Sequence, residues 1–414
     1  MRPRRPASLG PAVSFVGLVT LAGAGCDTAF LFGPPRPPPV IGHPPGGEGE
    51  NAGEGEGEGQ AVDRTLCNGA FVVDLGPALP MTSGHTRHQA VLLADGRVLV
   101  VGGNDANQDP IRVAEIFDPA TSTFTATGSM AAGRLDFALA ALDDGRALAV
   151  GGFANVSGTQ GDNHDVDTTE IWDPGTELWT AGPTMPEARS DLSALNLGGK
   201  VVIFGGQTDA TSLPAEVLLF DPSDDSLAST TGNIGVPRTS TTTHLLADGR
   251  VLMVGGFYTG SLDNVDAIFA DGHTAPVAPV PGPRRSACAA NDGNGTLHVF
   301  GGYGAGANGE RTDVVAFDPA ANTWSASGDL SAGRAGCEAA ELGCAALVCG
   351  GFATTTCDAW DDARATSVPV VDDMGMNFSF TLTRIDDTHA LLAGGTVNDF
   401  DVGTDARVIS LVAP

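Results

Sequence analysis

The sequence is poor in basic residues. Its 414 residues include 21 lysines and arginines against 50 aspartates and glutamates, giving a formal net charge of −29, and Lys200 is the only lysine. A surface with this charge repels nucleic acid and anionic lipid headgroups, so neither is expected as a partner. The sequence also lacks a nucleophile elbow, a phosphate-binding loop and a zinc motif, so no common enzyme signature points to an activity.

The first 26 residues have the layout of a bacterial export signal. Three arginines precede an apolar run from Leu9 that is too short to be a spanning helix. Residues 21–26, LAGAGC, resemble the lipobox of bacterial lipoproteins, in which the cysteine is lipidated; ordinary cleavage after Ala24 is the alternative. Lipidation of Cys26 would leave six of the seven cysteines, a number that can pair completely. We therefore expect export to the bacterial cell envelope, on a membrane not yet specified, with this lipid as the only membrane anchor.

Residues 27–65 are predicted to be a disordered tether. A proline-rich run is followed by GGEGENAGEGEGEGQ, which offers almost no apolar surface to bury. Proline favours stiff polyproline II, and the glutamates repel one another. The tether would separate Cys26 from a folded body that begins at residue 66.

A short apolar strand closed by two glycines occurs seven times in this body. LLADGRVLVVGG at 92–103 and LLADGRVLMVGG at 245–256 differ at only one position. The second glycines of the seven pairs are Gly103, Gly152, Gly206, Gly256, Gly302, Gly351 and Gly395. Their successive spacings of 49, 54, 50, 46, 49 and 44 residues are typical of a four-stranded propeller blade.

Each repeat carries further marks in a fixed order. An arginine precedes the glycines by 15 to 17 residues, and an Asp-Pro turn and then an aromatic residue follow them, as in TEIWDP at 169–174 and Trp179. This pattern resembles the kelch repeat over residues 66–414, although the fourth and sixth repeats lack the Asp-Pro turn and the aromatic. The resemblance implies an all-β fold, a seven-bladed kelch-type β-propeller distantly similar to that of galactose oxidase.

The ring is expected to close through the two ends of the body. The segment AFVVDLGPALPM at 70–81 aligns with fourth strands of other repeats, whereas the last repeat stops before its own fourth strand. We predict that the N-terminal strand completes the last blade and leaves no open strand edge. Six intact blades with additional fragments is the alternative.

The repeat arginines are the candidate ligand-binding residues. The kelch resemblance implies that long loops share one face around a central channel, and loops on a rigid scaffold commonly bind ligands. Arginines at the ends of these loops could surround the channel mouth and bind carboxylates. Alternatively, they are framework residues bonded to nearby carbonyls or aspartates. The candidates are Arg87, Arg134, Arg189, Arg238, Arg285 (or its neighbour Arg284) and Arg334.

The loop GDNHDVD at 161–167 is the candidate metal site, because clustered carboxylates suit a hard cation such as calcium. An ordinary solvated loop is the alternative. The residues concerned are Asp162, His164, Asp165 and Asp167.

The cysteines after the tether are expected to oxidise in an exported protein. Cys349 ends a second strand and Cys357 begins the third across a short loop, so they are the first candidate disulfide. Cys288 and Cys337 hold matching places in adjacent repeats and could instead be buried thiols.

These features favour a membrane-tethered, non-catalytic module that binds a protein or carbohydrate ligand, possibly acidic, and acts as a monomer without a cofactor. The alternative is an exported carbohydrate-active enzyme resembling galactose oxidase or a sialic-acid epimerase. Galactose oxidase needs copper-binding histidines and two tyrosines, one of them crosslinked to cysteine, and this chain has only Tyr258 and Tyr303. Copper is therefore not expected, and no catalytic residue is assigned.

Overall fold

The structure is a computed structural model that describes residues 72–155, 163–208, 212–292, 295–304, 309–343, 345–361, 366–371, 373–397 and 401–412. The predicted export signal, Cys26 and the predicted tether at 27–65 lie outside the described residues. Every regular element in the described part of the chain is a β-strand, so the fold is all-β. No helix there has the length and apolar character that a membrane crossing requires.

The strands are short and closely spaced. In chain order they are β1 (Val72–Leu75), β2 (Leu79–Pro80), β3 (Gln89–Leu92), β4 (Val98–Val101), β5 (Ala114–Asp118), β6 (Thr123–Ala126), β7 (Gly133–Leu135), β8 (Ala138–Ala141), β9 (Ala147–Val150), β10 (Phe153–Asn155), β11 (Asn163–Asp165), β12 (Thr169–Asp173), β13 (Leu178–Ala181), β14 (Ser190–Leu197), β15 (Lys200–Gln207), β16 (Glu216–Asp221), β17 (Ser226–Asn233), β18 (Thr242–Leu245), β19 (Val251–Val254), β20 (Val265–Ile268), β21 (Thr274–Val277), β22 (Cys288–Asn291), β23 (Leu297–Phe300), β24 (Asp313–Asp318), β25 (Thr323–Asp329), β26 (Glu338–Leu342), β27 (Ala345–Cys349), β28 (Cys357–Asp361), β29 (Thr366–Val371), β30 (Thr381–Arg384), β31 (His389–Ala393), β32 (Thr396–Val397), β33 (Asp401–Val402) and β34 (Asp405–Val412).

Most of these strands form four-stranded antiparallel sheets, one for each double glycine. The first sheet is β3-β4-β5-β6, and the second is β8-β9-β12-β13. The third to sixth sheets are β14 to β17, β18 to β21, β22 to β25 and β26 to β29, and the seventh is β30-β31-β34-β1, with β2 also paired to β34. Two smaller sheets, β7-β10-β11 and β32-β33, lie in the connections.

The hydrophobic core lies between neighbouring sheets. The first strands of successive sheets contact one another, as β3 does β8 and β22 does β26, and β30 of the seventh sheet contacts β3 of the first. Apolar clusters join the sheets farther out, as with Leu99 and Trp172, or Phe300 and Trp360. The apolar second strands are buried throughout because both of their faces pack against a neighbouring sheet.

The double glycines lie where one sheet meets the next. A Cβ atom on Gly255 would lie 2.2 Å from the carbonyl oxygen of Arg284 in the following sheet. The second glycine, Gly256, donates its N–H to that same carbonyl at 2.9 Å. We call this contact the glycine joint; only glycine fits because a side chain would displace the neighbouring backbone. Joints of this kind use the carbonyls of Arg134, Arg189, Arg284, Arg334, Asn377 and His85.

The two ends of the body meet in the seventh sheet. Strand β1 pairs antiparallel with β34, with Val73 opposite Leu411 and Leu75 opposite Ile409. The glycine joint of this sheet reaches the first sheet, because Gly395 donates its N–H to the carbonyl of His85 at 2.8 Å. The N-terminal segment therefore contributes both an outer strand to the seventh sheet and the residue that joins it to the first.

Two disulfides lie around the sixth sheet. Cys349 and Cys357, the first candidate pair, are bonded across β27 and β28. Cys288 on β22 is bonded to Cys337, which directly precedes β26. These two cysteines are therefore not buried free thiols, and their bond connects the fifth sheet to the sixth.

Candidate functional site

Five arginines of the repeats are buried at the ends of the sheets. Arg134, Arg189, Arg238, Arg284 and Arg334 each have at most 1% of their surface exposed. Each is paired with a carboxylate on or beside the third strand of its own sheet. The pairs are Arg134–Glu170 at 2.9 Å, Arg189–Glu216 at 3.5 Å, Arg238–Asp266 at 2.7 Å, Arg284–Asp313 at 2.9 Å and Arg334–Asp358 at 3.2 Å.

These guanidiniums also hold the backbone around the glycines. Arg134 donates to the carbonyls of Gly151 and Thr168, and Arg334 donates to those of Gly350 and Thr356. Burial lowers the pKa of each guanidinium, and the paired carboxylate opposes that change. Their donors are directed into the protein, so the burial favours the framework interpretation for Arg134, Arg189, Arg238 and Arg334.

Arg87 does not lie at the position of the buried arginines. That position in the first sheet is filled by His85, whose ring contacts Glu115 at 2.9 Å and the carbonyl of Gly102 at 2.7 Å. Arg87 comes two residues later, with a φ of 54°, and pairs with Asp136. The Arg87 side chain is 18% exposed, so it is more accessible than the five buried arginines, but it already pairs with a carboxylate.

Arg285 differs from its buried neighbour Arg284. Its guanidinium carbon lies 4.7 Å from the centre of the Phe257 ring and 5.4 Å from that of Tyr303. Cation–π contact with two rings orients the guanidinium without using its N–H donors. Among the residues that the structure describes, no side-chain hydrogen bond or ion pair engages these donors, and the residue is only partly buried.

Aromatic rings extend this site across four sheets, the fourth to the seventh. Tyr303 stacks on Phe352 with ring centres 5.9 Å apart, and Phe352 packs against Phe378 at 5.2 Å. We call Phe257, Tyr303, Phe352 and Phe378 the aromatic row. Its first three members directly follow double glycines, so it lies at the end of the sheets where the second strand ends, which we call the loop face.

Two further residues bear on the chemistry of this site. Tyr258, next to Phe257, is 55% exposed and presents an aromatic surface to solvent. Glu310 forms a backbone bridge with Tyr303, and burial raises the pKa of its carboxyl to about 6. The loop face therefore combines an unmatched cation, apolar rings and one carboxyl that neutralises in mild acid.

The structure describes three of the four calcium candidates, His164, Asp165 and the half-buried Asp167. Asp162 lies outside the described residues, and His164 and Asp165 are adjacent on β11, where His164 is exposed and Asp165 is buried. Successive side chains of a strand point to opposite faces, so these two do not converge on one ion. Within the described ranges, no three His, Cys, Asp or Glu side chains are grouped as a metal site.

The tyrosines do not match a tyrosine–cysteine crosslink of the galactose oxidase type. Tyr303 packs against Arg285 and Phe352, and Tyr258 extends into solvent. The four cysteines in the described part of the chain are all disulfide-bonded. The described residues therefore do not fit such a copper site.

Comparison with known proteins shows kelch repeats. A sequence model of the Kelch motif matches residues 85–131 and 136–186. The chain is 28% identical to human Kelch-like protein 33 over 164 residues, 39% of this chain and 29% of that protein. It is 26% identical to mouse Kelch-like protein 35 over 244 residues, 58% of this chain and 39% of the relative. The predicted kelch resemblance is confirmed, and the matches span less than half of either relative.

A solved structure with a similar fold is that of a fungal alcohol oxidase of the AA5 family in complex with copper. The likeness has a TM-score of 0.64 and covers 82% of this chain and 76% of the oxidase, at 15% sequence identity. At this identity the likeness shows the fold and carries no activity.

Proposed function

We propose that this kelch-repeat protein is an exported, lipid-anchored, non-catalytic recognition module whose loop face binds a ligand bearing carboxylate groups. The seven four-stranded sheets are the blades of one ring, closed by β1 beside β34. The repeated glycine joint and the contact from Gly395 to His85 support this ring. Cys26 carries the lipid, and residues 27–65 are the tether.

The observation that carries the proposed function is the state of Arg285. The guanidinium of Arg285 lies against two rings and has no hydrogen-bond or ion-pair partner among the described residues, so its donors are free for a ligand. A planar guanidinium matches the two oxygens of a carboxylate. In a protein of net charge −29, a free cation on the loop face makes an acidic group the complementary ligand.

The aromatic row favours a peptide as the bearer of that carboxylate. The ring of Phe257 contacts Arg285 directly, and the ring of Phe352 is reached through Tyr303, so both offer apolar surface near the guanidinium. A peptide segment in which acidic and apolar residues alternate satisfies both kinds of contact. An acidic glycan is the alternative ligand.

The test compares Arg285→Gln with Arg97→Gln. Arg97 lies in the turn before β4, at the opposite end of the sheets, and pairs with Asp95 at 2.8 Å. The probes are a peptide of alternating glutamate and leucine residues and a polygalacturonate oligosaccharide, with affinity measured by calorimetry at two salt concentrations. Arg285→Gln should weaken peptide binding at least about tenfold, whereas Arg97→Gln should leave it unchanged.

Each result is decisive for this site. Equal affinity of Arg285→Gln and the unaltered protein for the peptide would refute the carboxylate site. An equal loss of affinity in Arg285→Gln and Arg97→Gln would mean that the peptide is held only by general charge attraction. Binding should tighten as the pH falls through about 6, because protonated Glu310 no longer repels a carboxylate. Preference for the oligosaccharide would favour the glycan ligand.

A further inference from the structure

Arg285 and Glu310 lie on either side of Tyr303. The backbones of Arg285 and Tyr303 exchange two hydrogen bonds, at 3.1 and 2.8 Å. Tyr303 also forms an antiparallel bridge with Glu310. Directly opposite residues of antiparallel segments project their side chains from the same face, with Cα atoms about 4.5–5.5 Å apart. A cation and a carboxyl therefore flank one ring on the loop face, and their Cα atoms are about 10 Å apart.

The equivalent positions of two other sheets are uncharged. Bridges of the same kind join three segments beside the double glycines of the first and fourth sheets. Their members are Thr86, Asn104 and Pro110 in the first sheet, and Thr239, Phe257 and Ser261 in the fourth. Both sheets form their glycine joints without a charged pair at these positions. The framework therefore does not require the two charges that flank Tyr303 in the fifth sheet.

The two charges do not neutralise each other. The guanidinium carbon of Arg285 lies 4.7 Å from the centre of the Phe257 ring, and no ion pair within the described ranges joins it to Glu310. Oε1 of Glu310 is buried and has no hydrogen-bond partner in the described part of the chain. The cation that acts on Glu310 is Arg334, which is itself paired with Asp358 at 3.2 Å. The site therefore has an unmatched donor group on one side and an unmatched acceptor on the other.

The carboxyl of Glu310 is held in place by the sixth repeat. An added Cβ on Gly333 would lie 3.1 Å from the Cβ of Glu310, and the backbone of Ala353 is hydrogen-bonded to the carboxyl. Burial raises the pKa of this carboxyl to about 6, while Arg334 and the backbone of Ala353 oppose the rise. The group is therefore mostly ionised at neutral pH. A cationic donor stabilises an ionised carboxylate more than a neutral donor does.

We propose that the loop face selects a ligand that carries a cationic group beside its carboxylate, and that Glu310 is the specificity-determining residue for the cation. This inference rests on the proposed function, because it adds a second contact to the carboxylate site at Arg285. In an extended peptide, residues two apart project from the same side and lie about 7 Å from each other. A peptide with glutamate and lysine at such positions can offer its carboxylate to Arg285 and its ammonium to Glu310, since both side chains are long.

Three peptides test this selection by calorimetry at neutral pH and fixed salt. The first alternates glutamate and leucine, the second has lysine in place of its central glutamate, and the third has glutamine there. The unaltered protein should bind the lysine peptide about tenfold more tightly than the glutamine peptide. In Glu310→Gln this ratio should fall to about one, whereas the control Glu177→Gln should keep it. Glu177 is 50% exposed in the turn before β13, at the opposite end of the sheets, and its loss changes the net charge equally.

Three outcomes would overturn the selection: equal affinity of the unaltered protein for the lysine and glutamine peptides, an unchanged ratio in Glu310→Gln, or an equal fall in Glu177→Gln. The carboxylate site is judged separately, by the effect of Arg285→Gln on the glutamate–leucine peptide. Binding of none of the three peptides would refute both proposals.

A second measurement decides should Glu310→Gln fail to fold. Carbodiimide couples a lysine amine to a carboxylate in direct contact with it, and mass spectrometry locates the new amide bond. Coupling of the bound lysine peptide to Glu310 of the unaltered protein supports the selection. Coupling only to other carboxylates excludes it.

Discussion

The carbonyl oxygen of Arg284 occupies the space that a side chain on residue 255 would need. Gly255 has a φ of 60°, and its added Cβ atom would lie 2.2 Å from that oxygen. Gly255→Ala should therefore lower the free energy of unfolding by about 3 kcal/mol or more, from displaced backbone together with left-handed strain. Urea unfolding followed by fluorescence measures it.

Gly249→Ala is the matched control for this glycine. Gly249 also has a positive φ, of 82°, but an added Cβ would meet nothing within 4 Å. Gly249→Ala should lower the free energy of unfolding by only about 1 kcal/mol, because only the left-handed backbone strain acts at this position. Equal losses in the two variants would mean that the contact with Arg284 contributes nothing.

Removal of a buried repeat arginine should lower the free energy of unfolding, because it leaves a buried carboxylate without its cationic partner. Arg238→Met leaves buried Asp266 without its partner at 2.7 Å, and we expect a loss of about 3–5 kcal/mol in the free energy of unfolding. The double variant Arg238→Met with Asp266→Leu should recover much of it. Arg146→Met, which breaks the exposed pair with Asp225 at 2.8 Å, should cost less than about 1 kcal/mol. A double variant no better than Arg238→Met would contradict this account.

Glu341 should make the protein less stable as the pH rises. Burial raises the pKa of its carboxyl from 4.5 to about 7; Arg384 opposes this rise, while Asp292 and Asp387 add to it. The folded state then holds a proton that the unfolded chain releases, so stability is lost between about pH 4.5 and pH 7. Glu341→Gln should be more stable at pH 8, by on the order of 3 kcal/mol at most, and unchanged at pH 4. Melting curves across this range test it, and parallel curves for both proteins would refute it.

The proposed lipid anchor predicts that loss of Cys26 moves the protein from the membrane to the soluble fraction. Cys26→Ala should release the protein from the membrane fraction, because the lipid on Cys26 is the only membrane attachment that we propose. Cys67→Ala is the control, since it alters a cysteine beyond the tether and should leave the protein on the membrane. Identical fractionation and intact mass for Cys26→Ala and the unaltered protein would exclude lipidation.

The period of the double glycines predicted the sheets well, because each glycine pair is required by a backbone contact rather than by a side chain. Side-chain roles were harder to predict. Arg87 is the arginine nearest to the expected place in the first repeat, but it does not hold the equivalent position. Arg134 lies 17 residues before Gly151, and the residue 17 before Gly102 is His85. Histidine can take the place of arginine there because its two ring nitrogens reach Glu115 and the carbonyl of Gly102.

The sequence could not distinguish Arg284 from Arg285, because the choice depends on which backbone each one pairs with: Arg284 bridges Leu262, and Arg285 bridges Tyr303. The residues after the double glycines did carry a usable signal. Phe257, Tyr303 and Phe352 repeat there, and their aromatic character marks the loop face. The disulfide between Cys288 and Cys337 needed the distance between two sheets, which a single sequence does not provide.

The glycine joint has a consequence for how such a chain can diversify. Each joint is made from backbone atoms and glycines, so it does not depend on the length of the connection that follows the glycines or on the side chains within that connection. The segment between Gly152 and β12 holds two extra strands, whereas Gly351 reaches β28 within six residues, yet both glycines make the same bond at 2.7 and 2.9 Å. Insertions, deletions and exchanges in these connections are therefore uncoupled from assembly, and each repeat is free to evolve its own recognition surface on a shared frame.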